Sequence, residues 1–393
     1  MAIASYYTPT HVLMGKGAYK EVVNELKKQN ATKVLIHYGS DRIKKNGLLD
    51  EVVSLIEESG IKTFTLGGVV PNPRVSLVRK GVELVKKESI DFILAIGGGS
   101  VIDSCKAIGY GSLYDGDVWD FYSQKATPTA CMSIGCILTM AAAGSEMSDS
   151  SVITNDEGGL KRGCNTDYCR LKFALLDPEY TYSLPKYQTA CAVVDIMMHT
   201  MERFFIKGTT LAFTDNMATA LLRTLVKYGP IALTDPTNYE ARENIMWASS
   251  VSHNGFTGFG NSWRGDWACH QMEHELSGMF DVAHGAGLSA IWSTWARYVY
   301  KENPKRFAFF GHEVFGLELT GDDDKDANAA IDKTEEFFKS LGMPIRISDF
   351  DITLTDDQLE ELATKATFYG KRTLGSFMTL DHDRIKDIYT LAR

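Results

Sequence analysis

Three of the nine histidines of this 393-residue chain lie in one apolar stretch, WACHQMEHELSGMFDVAH, which ends at His284. If the stretch is helical as far as residue 280, the i, i+4 spacing puts His270 and His274 on one face. A break near Asp281 then separates this helix from His284. Imidazole groups gathered in this way are typical of a metal site or of a proton-transfer site.

A second stretch pairs a carboxylate with an imidazole. The sequence AVVDIMMHTMERFF has helical apolar spacing, and Asp195 and His199 in it are again four residues apart. A carboxylate buried alone in such a helix is costly. A cation removes that cost, since carboxylate and neutral imidazole are ordinary ligands of Zn²⁺ and Fe²⁺. The alternative is a buried Asp–His hydrogen-bonded pair beside core histidines, but two such helices in one region favour a metal.

The letters HQMEH, from His270 to His274, also match H-x-x-E-H. In zinc hydrolases with this pattern the glutamate, here Glu273, activates a metal-bound water. A five-residue match is common by chance. It also leaves the Asp195/His199 pair and the glycine-rich turn described next without a role.

A glycine-rich turn joins an apolar run to a helical one. DFILAI leads into Gly97, Gly98, Gly99 and Ser100, and VIDSCKAIGY follows. Glycines between a strand and a helix let backbone amides approach a phosphate, and the helix N-terminus favours the negative charge. We expect Ser100 to be the N-cap or a phosphate ligand, and Asp103 to bond a ligand or favour the helix dipole. The pattern is not G-x-G-x-x-G, and a plain tight turn is the alternative.

The elements around these residues predict two domains. Residues 1–185 alternate strands and helices, which indicates a Rossmann-like dinucleotide-binding α/β domain with a parallel sheet. The predicted strands are KVLIHYG, IKTFTLGG, DFILAIGGG, TACMSIGCIL and KFALLD, and SVITNDEGGLKRG is a predicted hairpin. Residues 186–393 show helical spacing with turns at 229–230, 260–265 and 342–344, which predicts an all-helical metal-binding and substrate domain.

Composition excludes several classes of function. The net charge of −9 and the lack of a Lys/Arg cluster argue against a nucleic-acid partner. No apolar run is long enough for a membrane span, and MAIASYYTPT has no signal-peptide pattern. Seven scattered cysteines without a C-x-x-C pair are typical of reduced thiols. We expect a cytoplasmic protein without a membrane partner.

Taken together, these motifs resemble the iron-containing (group III) alcohol dehydrogenases, within them the NADP-dependent butanol dehydrogenase and aldehyde reductase branch. The resemblance covers nearly the whole chain and is carried most clearly by LAIGGGSVIDSCKAI, GCILTMAAAGSEMS, VVDIMMHTMERF and DWACHQMEHELSGMFDVAHGAGLSAI. It implies a dehydroquinate-synthase-like architecture, an α/β domain followed by a helical one, and a homodimer.

The resemblance also implies the roles of individual residues. The family's single divalent metal, Fe²⁺ or Zn²⁺, would be held by Asp195, His199, His270 and His284. His274 matches a histidine that lies near the metal but is not normally a ligand, and it would support a ligand or carry a proton. Besides Gly97, Gly98, Gly99 and Ser100, the family's cofactor contacts fall on Asn72, Thr139, Lys161, Tyr180 and Tyr182.

Two departures concern the cofactor. The family's T-L-P-x-T-G-S-E is TMAAAGSE here, with Ala141 and Ala143 in place of Pro and Thr. In the turn after KVLIHY, which begins at Gly39, Ser40 replaces the Asp that in NAD-preferring members binds the 2′-hydroxyl. The positive charges of Arg42, Lys44 and Lys45 outnumber the negative charge of Asp41. We therefore expect NADP(H) to be preferred over NAD(H).

The expected function is hydride transfer between NADP(H) and a small primary alcohol or aldehyde, with the metal as Lewis acid. The segments around the metal residues are poor in Lys and Arg and rich in Phe, Trp and Met, which suits a small apolar substrate. The same architecture also serves dehydroquinate-synthase-like lyases, which need several cations around the metal. A catalytically silent nucleotide-binding protein is the remaining reading, and it would leave four matched ligands unexplained.

Overall fold

The structure is a computed structural model, and it describes residues 3–39 and 42–393. The chain divides into two compact units. One unit is Tyr7–Ser183, and the other is Leu184–Arg393 together with the residues that precede Tyr7. The boundary expected from the sequence lies at residue 185, with the first residues in the α/β domain.

The α/β unit is built on strands that follow the apolar runs of the sequence. The strands are β1 (His11–Met14), β2 (Lys33–Tyr38), β3 (Lys62–Leu66), β4 (Phe92–Gly97), β5 (Ser133–Leu138), β6 (Ser150–Asn155), β7 (Leu160–Asn165) and β8 (Phe173–Leu176). The main sheet has the order β1-β8-β5-β4-β2-β3, and all of its pairs are parallel. β6 and β7 form the predicted antiparallel hairpin. The predicted parallel sheet is therefore confirmed.

Helices cover this sheet. They are α1 (Val22–Lys28), α2 (Arg42–Lys45), α3 (Leu48–Glu58), α4 (Val75–Glu88), α5 (Gly99–Ser112) and α6 (Trp119–Tyr122). Every residue of β4 is buried, which explains its uninterrupted apolar run, since a central parallel strand has no solvent-facing side. The edge strand β1 was not predicted, because its four residues, HVLM, are too few to show a pattern.

The second unit is helical, as the sequence predicts. Its helices are α7 (Lys186–Phe204), α8 (Ala212–Thr234), α9 (Tyr239–His253), α10 (Ala268–Phe280), α11 (His284–Val299), α12 (Pro304–Phe315), α13 (Asp323–Ser340), α14 (Asp356–Ala366) and α15 (His382–Ala392). Short 3-10 turns lie at Ala18–Glu21, Ser145–Met147, Asp167–Cys169, Pro178–Thr181, Phe256–Gly258, Tyr300–Glu302 and Ile347–Asp349. Among the described residues, no helix has both the length and the apolar character required to cross a membrane.

Helix α7 lies at the centre of this unit. All of its residues from Thr189 to Phe204 are buried, so Asp195 and His199 are buried with it. One predicted turn is wrong, because α8 continues through Gly229 and Pro230 to Thr234. Gly229 packs closely against Val193 of α7, and this tertiary contact outweighs the local cost of a proline in the last turns of the helix.

Candidate functional site

The glycine-rich turn joins β4 to α5. Gly98 is the N-cap of α5 and has extended backbone, with φ −100° and ψ −163°, and no side chain caps the helix. Ser100 lies inside the first turn, so the expectation that it is the N-cap is wrong. A Cβ built on Gly99 would lie 2.8 Å from the Cβ of Ala143, which shows how closely the two backbones approach. The amides of Val101 and Ile102 donate to the carbonyl of Gly98. The two amides before them, those of Gly99 and Ser100, have no acceptor within the helix and can bind a phosphate group.

This turn lies where the strand order of the sheet reverses. From β2 the chain passes to β3 on one side and then to β4 on the other. Ligands of open parallel sheets bind beyond the carboxyl ends of the strands that flank such a point. Gly39 follows β2, and a Cβ built on it would lie 3.5 Å from the Val101 side chain of α5. Gly39 and the start of α5 therefore meet at this edge.

Other predicted cofactor residues are brought to the same unit. Thr139 follows β5, is buried, and its amide donates to the carbonyl of Gly97 at 3.0 Å. Asn72 is buried in a left-handed conformation, with φ 54°. The next residue, Pro73, accepts a hydrogen bond from the amide of Thr154, the strand partner of Lys161. The loop at Asn72 and the hairpin at Lys161 are thus joined.

Arg42 is the first residue of α2, and it follows the turn after β2. Its guanidinium donates to the carbonyl of Thr139 at 3.3 Å and to the hydroxyl of Ser183 at 3.2 Å. Burial lowers the pKa of Arg42 from its ordinary value. Ser40 and Asp41, on which the cofactor prediction partly depends, lie outside the described residues.

Asp103 and the two tyrosines are engaged within the protein. Asp103 accepts hydrogen bonds from the Ser145 hydroxyl at 2.6 Å and from the Val152 amide at 2.9 Å, so it ties α5 to β6. Tyr180 packs edge-on against Tyr19 with ring centroids 5.6 Å apart, and burial raises its pKa. Tyr182, which is partly buried, follows the same 3-10 turn. These contacts give Asp103 and Tyr180 clear structural roles.

The helical unit brings the four predicted metal ligands together. Asp195 and His199 lie on α7, His270 lies on α10, and His284 is the first residue of α11. Asp195 Oδ1 is the common neighbour. It lies 3.5 Å from His199 Nδ1, 3.9 Å from His270 Nε2 and 3.7 Å from His284 Nε2. Two ligand atoms of one tetrahedral Zn²⁺ or Fe²⁺ lie roughly 3.4 Å apart, so the three distances from Asp195 suit such an ion. Possible ligand atoms of Asp195, His199 and His270 lie within 4.8 Å of one another, whereas His284 falls in a group with Glu273 and His274.

The buried polar atoms of the cluster support a cation. Within the described residues, Asp195 Oδ1, His199 Nδ1 and His270 Nε2 are buried without a hydrogen-bond partner. Burial and the neighbouring cationic groups lower the pKa of His199 well below its ordinary value. Burial opposes protonation of His270 too, but its contacts with Asp195 and Glu202 prevail and raise its pKa to about 9. A divalent cation would satisfy all three orphaned atoms at once, so the donor set fits the predicted metal.

The close approach of two helices positions His284. The predicted break is confirmed, because Asp281 ends α10 in a left-handed conformation with φ 53°. A Cβ built on Gly285 would lie 2.1 Å from the carbonyl oxygen of Cys191, one turn before Asp195. Only glycine allows α11 to begin so close to α7, and this contact sets His284 beside Asp195.

Two buried carboxylates orient two of the imidazoles. Glu202 Oε1 lies 3.1 Å from His270 Nδ1 and also accepts from the His270 amide at 3.0 Å. Glu273 Oε2 is hydrogen-bonded to His284 Nδ1, and Glu273 also accepts from the Ser277 hydroxyl. A carboxylate on Nδ1 leaves the Nε2 lone pair for a metal. Glu273 is fully buried and paired with His284, which speaks against its role as the water-activating base of a hydrolase.

His274 is buried on α10, and its ring lies 5.8 Å from that of His284. Glu273, His274 and His284 together form a second group of possible ligand atoms within 4.8 Å of one another. His274 is therefore close to the four-residue cluster, as the resemblance implies.

Glu202 and His253 were not predicted as site residues from the sequence, and Trp267 was considered only as a residue of the substrate pocket or of the core. Glu202 could have been found from its spacing, since it follows His199 by three residues and Asp195 by seven and so shares their face of α7. The ring centroids of His253 and Trp267 lie 3.9 and 6.3 Å from that of His199. These contacts join residues from different helices, and no local pattern indicates them.

Comparison with known proteins identifies two family models and several relatives of this chain. A family model described as iron-containing alcohol dehydrogenase matches residues 9–178, and one described as Fe-containing alcohol dehydrogenase family, C-terminal, matches residues 189–392. NADH-dependent butanol dehydrogenase A of Clostridium acetobutylicum is 40% identical over 385 residues, which are 98% of each chain. NADPH-dependent aldehyde reductase YqhD of Escherichia coli is 34% identical over 395 residues, again 98% of each chain.

Solved structures are similar over the full length. The crystal structure of NADH-dependent butanol dehydrogenase A from Thermotoga maritima has a TM-score of 0.94 and 33% identity, and the match covers 100% of this chain and 99% of that one. A structure of Escherichia coli YqhD has a TM-score of 0.92 and 34% identity, with the same coverage.

Proposed function

The chain belongs to the iron-containing alcohol dehydrogenase family, whose members are oxidoreductases, and on that basis we propose that it interconverts a small primary alcohol and its aldehyde with a nicotinamide cofactor and one divalent metal. The observation that carries the proposal is the convergence of Asp195 Oδ1, His199 Nδ1 and His270 Nε2, buried and without hydrogen-bond partners among the described residues. Relatives named butanol dehydrogenase and aldehyde reductase support the substrate class.

The protein's own residues prepare the metal site. Glu202 and Glu273 hold the Nδ1 protons of His270 and His284, so both Nε2 lone pairs face Asp195. The Asp195 carboxylate offsets part of the positive charge. A bound cation supplies Lewis acidity, which polarises an aldehyde carbonyl or stabilises an alkoxide. The nicotinamide supplies or accepts the hydride.

We assign His274 to the proton that accompanies hydride transfer, or to the support of His284. Reduction of an aldehyde consumes one hydride and one proton, and the alcohol oxygen receives the proton. His274 is buried and lies beside His284. General acid–base residues need such proximity to the reacting group.

We propose that the protein prefers NADPH to NADH. Arg42 is the first residue of α2 and is followed by Lys44 and Lys45 on this short helix, and position 40 carries Ser instead of an acidic residue. Arg42 lies against Thr139, which the resemblance assigns to the adenine side of the cofactor. Arginine pairs well with phosphate. Relatives of both kinds exist, since C. acetobutylicum butanol dehydrogenase A is named for NADH and E. coli YqhD for NADPH.

The ligand set of three imidazoles and one carboxylate suits Fe²⁺ and Zn²⁺ alike, and we propose one such ion per chain. A homodimer is the assembly that we expect. The lyase alternative has little support. The guanidinium of Arg203, a cation near the metal cluster, donates to the main-chain oxygens of His199 and Ser252 and so is not directed at a substrate.

The test is a matrix of NADH and NADPH against straight-chain aldehydes of increasing length, with protein loaded with Fe²⁺ or Zn²⁺ and with chelated protein. We expect metal-dependent reduction of short aldehydes, and faster turnover with NADPH at equal cofactor concentration. Metal-loaded protein that reduces none of the aldehydes would overturn the proposal. A higher kcat/KM with NADH would overturn the cofactor preference alone.

A further inference from the structure

The three histidine ligands are not held in the same way. His270 and His284 each have a carboxylate on Nδ1. In contrast, Nδ1 of His199 has no hydrogen-bond partner among residues 3–39 and 42–393, and it faces Asp195. An imidazole without such a partner can rotate about its side-chain bonds, so something else must fix its direction.

Ring stacking replaces the missing hydrogen bond. The ring of His253, the last residue of α9, lies on one face of His199 with centroids 3.9 Å apart and planes at 28°. The ring of His270 lies 4.7 Å from His199 with planes at 30°. Trp267 contacts both ligand rings and His253, with centroid distances of 5.2 to 6.3 Å. His199 is therefore enclosed by flat rings.

Arg203 holds the two helices that carry this stack. Its guanidinium donates to the carbonyl of His199 on α7 at 2.8 Å and to the carbonyl of Ser252 on α9 at 3.1 Å. Ser252 directly precedes His253, so this bridge fixes the distance between the two stacked histidines. The guanidinium also lies over the Trp267 ring, 4.6 Å from its centroid. One cation thus connects three of the elements around His199.

Trp267 keeps a backbone conformation that bulky residues rarely adopt. It is the N-cap of α10 with φ 63° and ψ 8°, in the left-handed region. Such a conformation costs of order 1–3 kcal/mol and persists only where the surroundings impose it. Here its ring reaches Arg203, His253 and the rings of the ligands, so the strain is balanced by the contacts that enclose His199.

We propose that His253 is a positioning residue for the metal ligand His199. Its ring, held by Arg203 and Trp267, gives His199 the fixed orientation that Glu202 and Glu273 give to the other two imidazoles. The face of one aromatic ring on another supplies this restraint, because stacked rings resist rotation out of plane. The inference rests on the metal centre proposed above.

The experiment compares two apolar substitutions of His253. His253→Phe keeps a flat ring, and His253→Leu fills the space without one. Trp247→Leu is the matched control, since it removes an aromatic side chain from the same helix at a position that is 46% exposed. The full-length proteins are freed of metal with a chelator, and the Kd for Zn²⁺ is measured by competition with a chelating dye. The visible spectrum after Co²⁺ loading reports the ligand geometry.

We expect His253→Leu to raise the metal Kd about ten- to hundredfold, as loss of a ligand's support does elsewhere, and to change the Co²⁺ spectrum. His253→Phe and Trp247→Leu should stay close to wild type in both measurements. A His253→Leu protein that folds and binds metal as wild type would overturn the inference. So would a His253→Phe protein that loses as much affinity as the leucine variant, because a ring would then not suffice. Wild-type protein that binds no metal would instead overturn the metal centre itself.

Discussion

Glu273 on α10 is hydrogen-bonded to His284 Nδ1 across the break between α10 and α11. The carboxylate is fully buried, whereas the His284 side chain is 27% exposed. The contact therefore anchors His284, a partly accessible proposed ligand, to the interior of the helical unit. It also fixes which ring nitrogen of His284 is available to a metal.

We expect Glu273→Gln to raise the metal Kd about ten- to hundredfold, because the amide keeps the shape but loses the charge that strengthens the imidazole as a ligand. Competition with a chelating dye measures the Kd. Glu318→Gln is the control, since it removes the same charge from an exposed site. Equal affinity of Glu273→Gln and wild type would show that the hydrogen bond does not support a ligand.

His270→Ala should lose both the metal and turnover, because His270 Nε2 is one of the three orphaned atoms around the proposed ion. Elemental analysis of wild type should give about one ion per chain, as a single four-ligand site requires. The exposed His312 provides the control His312→Ala, which should keep one ion. Full metal content and activity in His270→Ala would contradict the ligand assignment.

His274→Ala should keep the metal but reduce kcat about 10²-fold or more, the ordinary contribution of a general acid or base. Metal analysis and steady-state kinetics on one preparation separate the two effects. Loss of the metal would instead make His274 part of the ligand support. Unchanged kcat with full metal content would leave it as a core histidine.

Arg42→Ala should lower the ratio of kcat/KM for NADPH to that for NADH about ten- to hundredfold, the value of one charge-assisted hydrogen bond to phosphate. Ser40→Asp should shift the ratio in the same direction by repelling the 2′-phosphate. Arg79→Ala, which removes a surface cation paired with Asp117, is the control. An unchanged ratio in both cofactor variants would mean that the turn after β2 does not select the nucleotide.

We expect the α/β unit to lose folding stability at acid pH because of His37. It is buried on β2, with Nε2 2.8 Å from the Ser104 hydroxyl of α5 and Nδ1 2.7 Å from the carbonyl of Leu66. Burial outweighs the Leu66 contact and lowers its pKa from 6.5 to about 4. The unfolded chain takes up this proton near pH 6.5 and the folded chain only near pH 4. The contribution of neutral His37 to the free energy of unfolding is therefore fully present above pH 6.5, and it is lost as the pH falls towards 4.

The loss attributable to His37 is about 3 kcal/mol over that window. Urea unfolding of wild type and His37→Gln at several pH values measures it, since the variant should lack this part of the pH dependence. His312→Gln should keep the wild-type slope. Parallel stability curves for wild type and His37→Gln would show that the histidine is not buried in its neutral form.

Local patterns were sufficient for much of this molecule. Apolar runs that stop at glycine gave β4 and its turn, and the i, i+4 spacings gave the faces of α7 and α10 that carry the ligands. Gly229–Pro230 misled, because packing against Val193 outweighs a local breaker signal. The residues that support the proposed ligands could not be predicted from the sequence. Which carboxylate meets which imidazole depends on how helices cross, and the stacking of His253 on His199 joins residues 54 positions apart.

All four proposed ligands belong to α7, α10 and α11, and so to a single one of the two units. Metal binding would therefore stabilise the folded state of that unit alone. At a free metal concentration a hundredfold above Kd, the unit would gain about 2.7 kcal/mol, and depletion of metal would withdraw it. In a cell that lacks iron or zinc, the helical unit would unfold more often and would be degraded faster by proteases. The abundance of the protein would then follow the metal supply without any dedicated regulator.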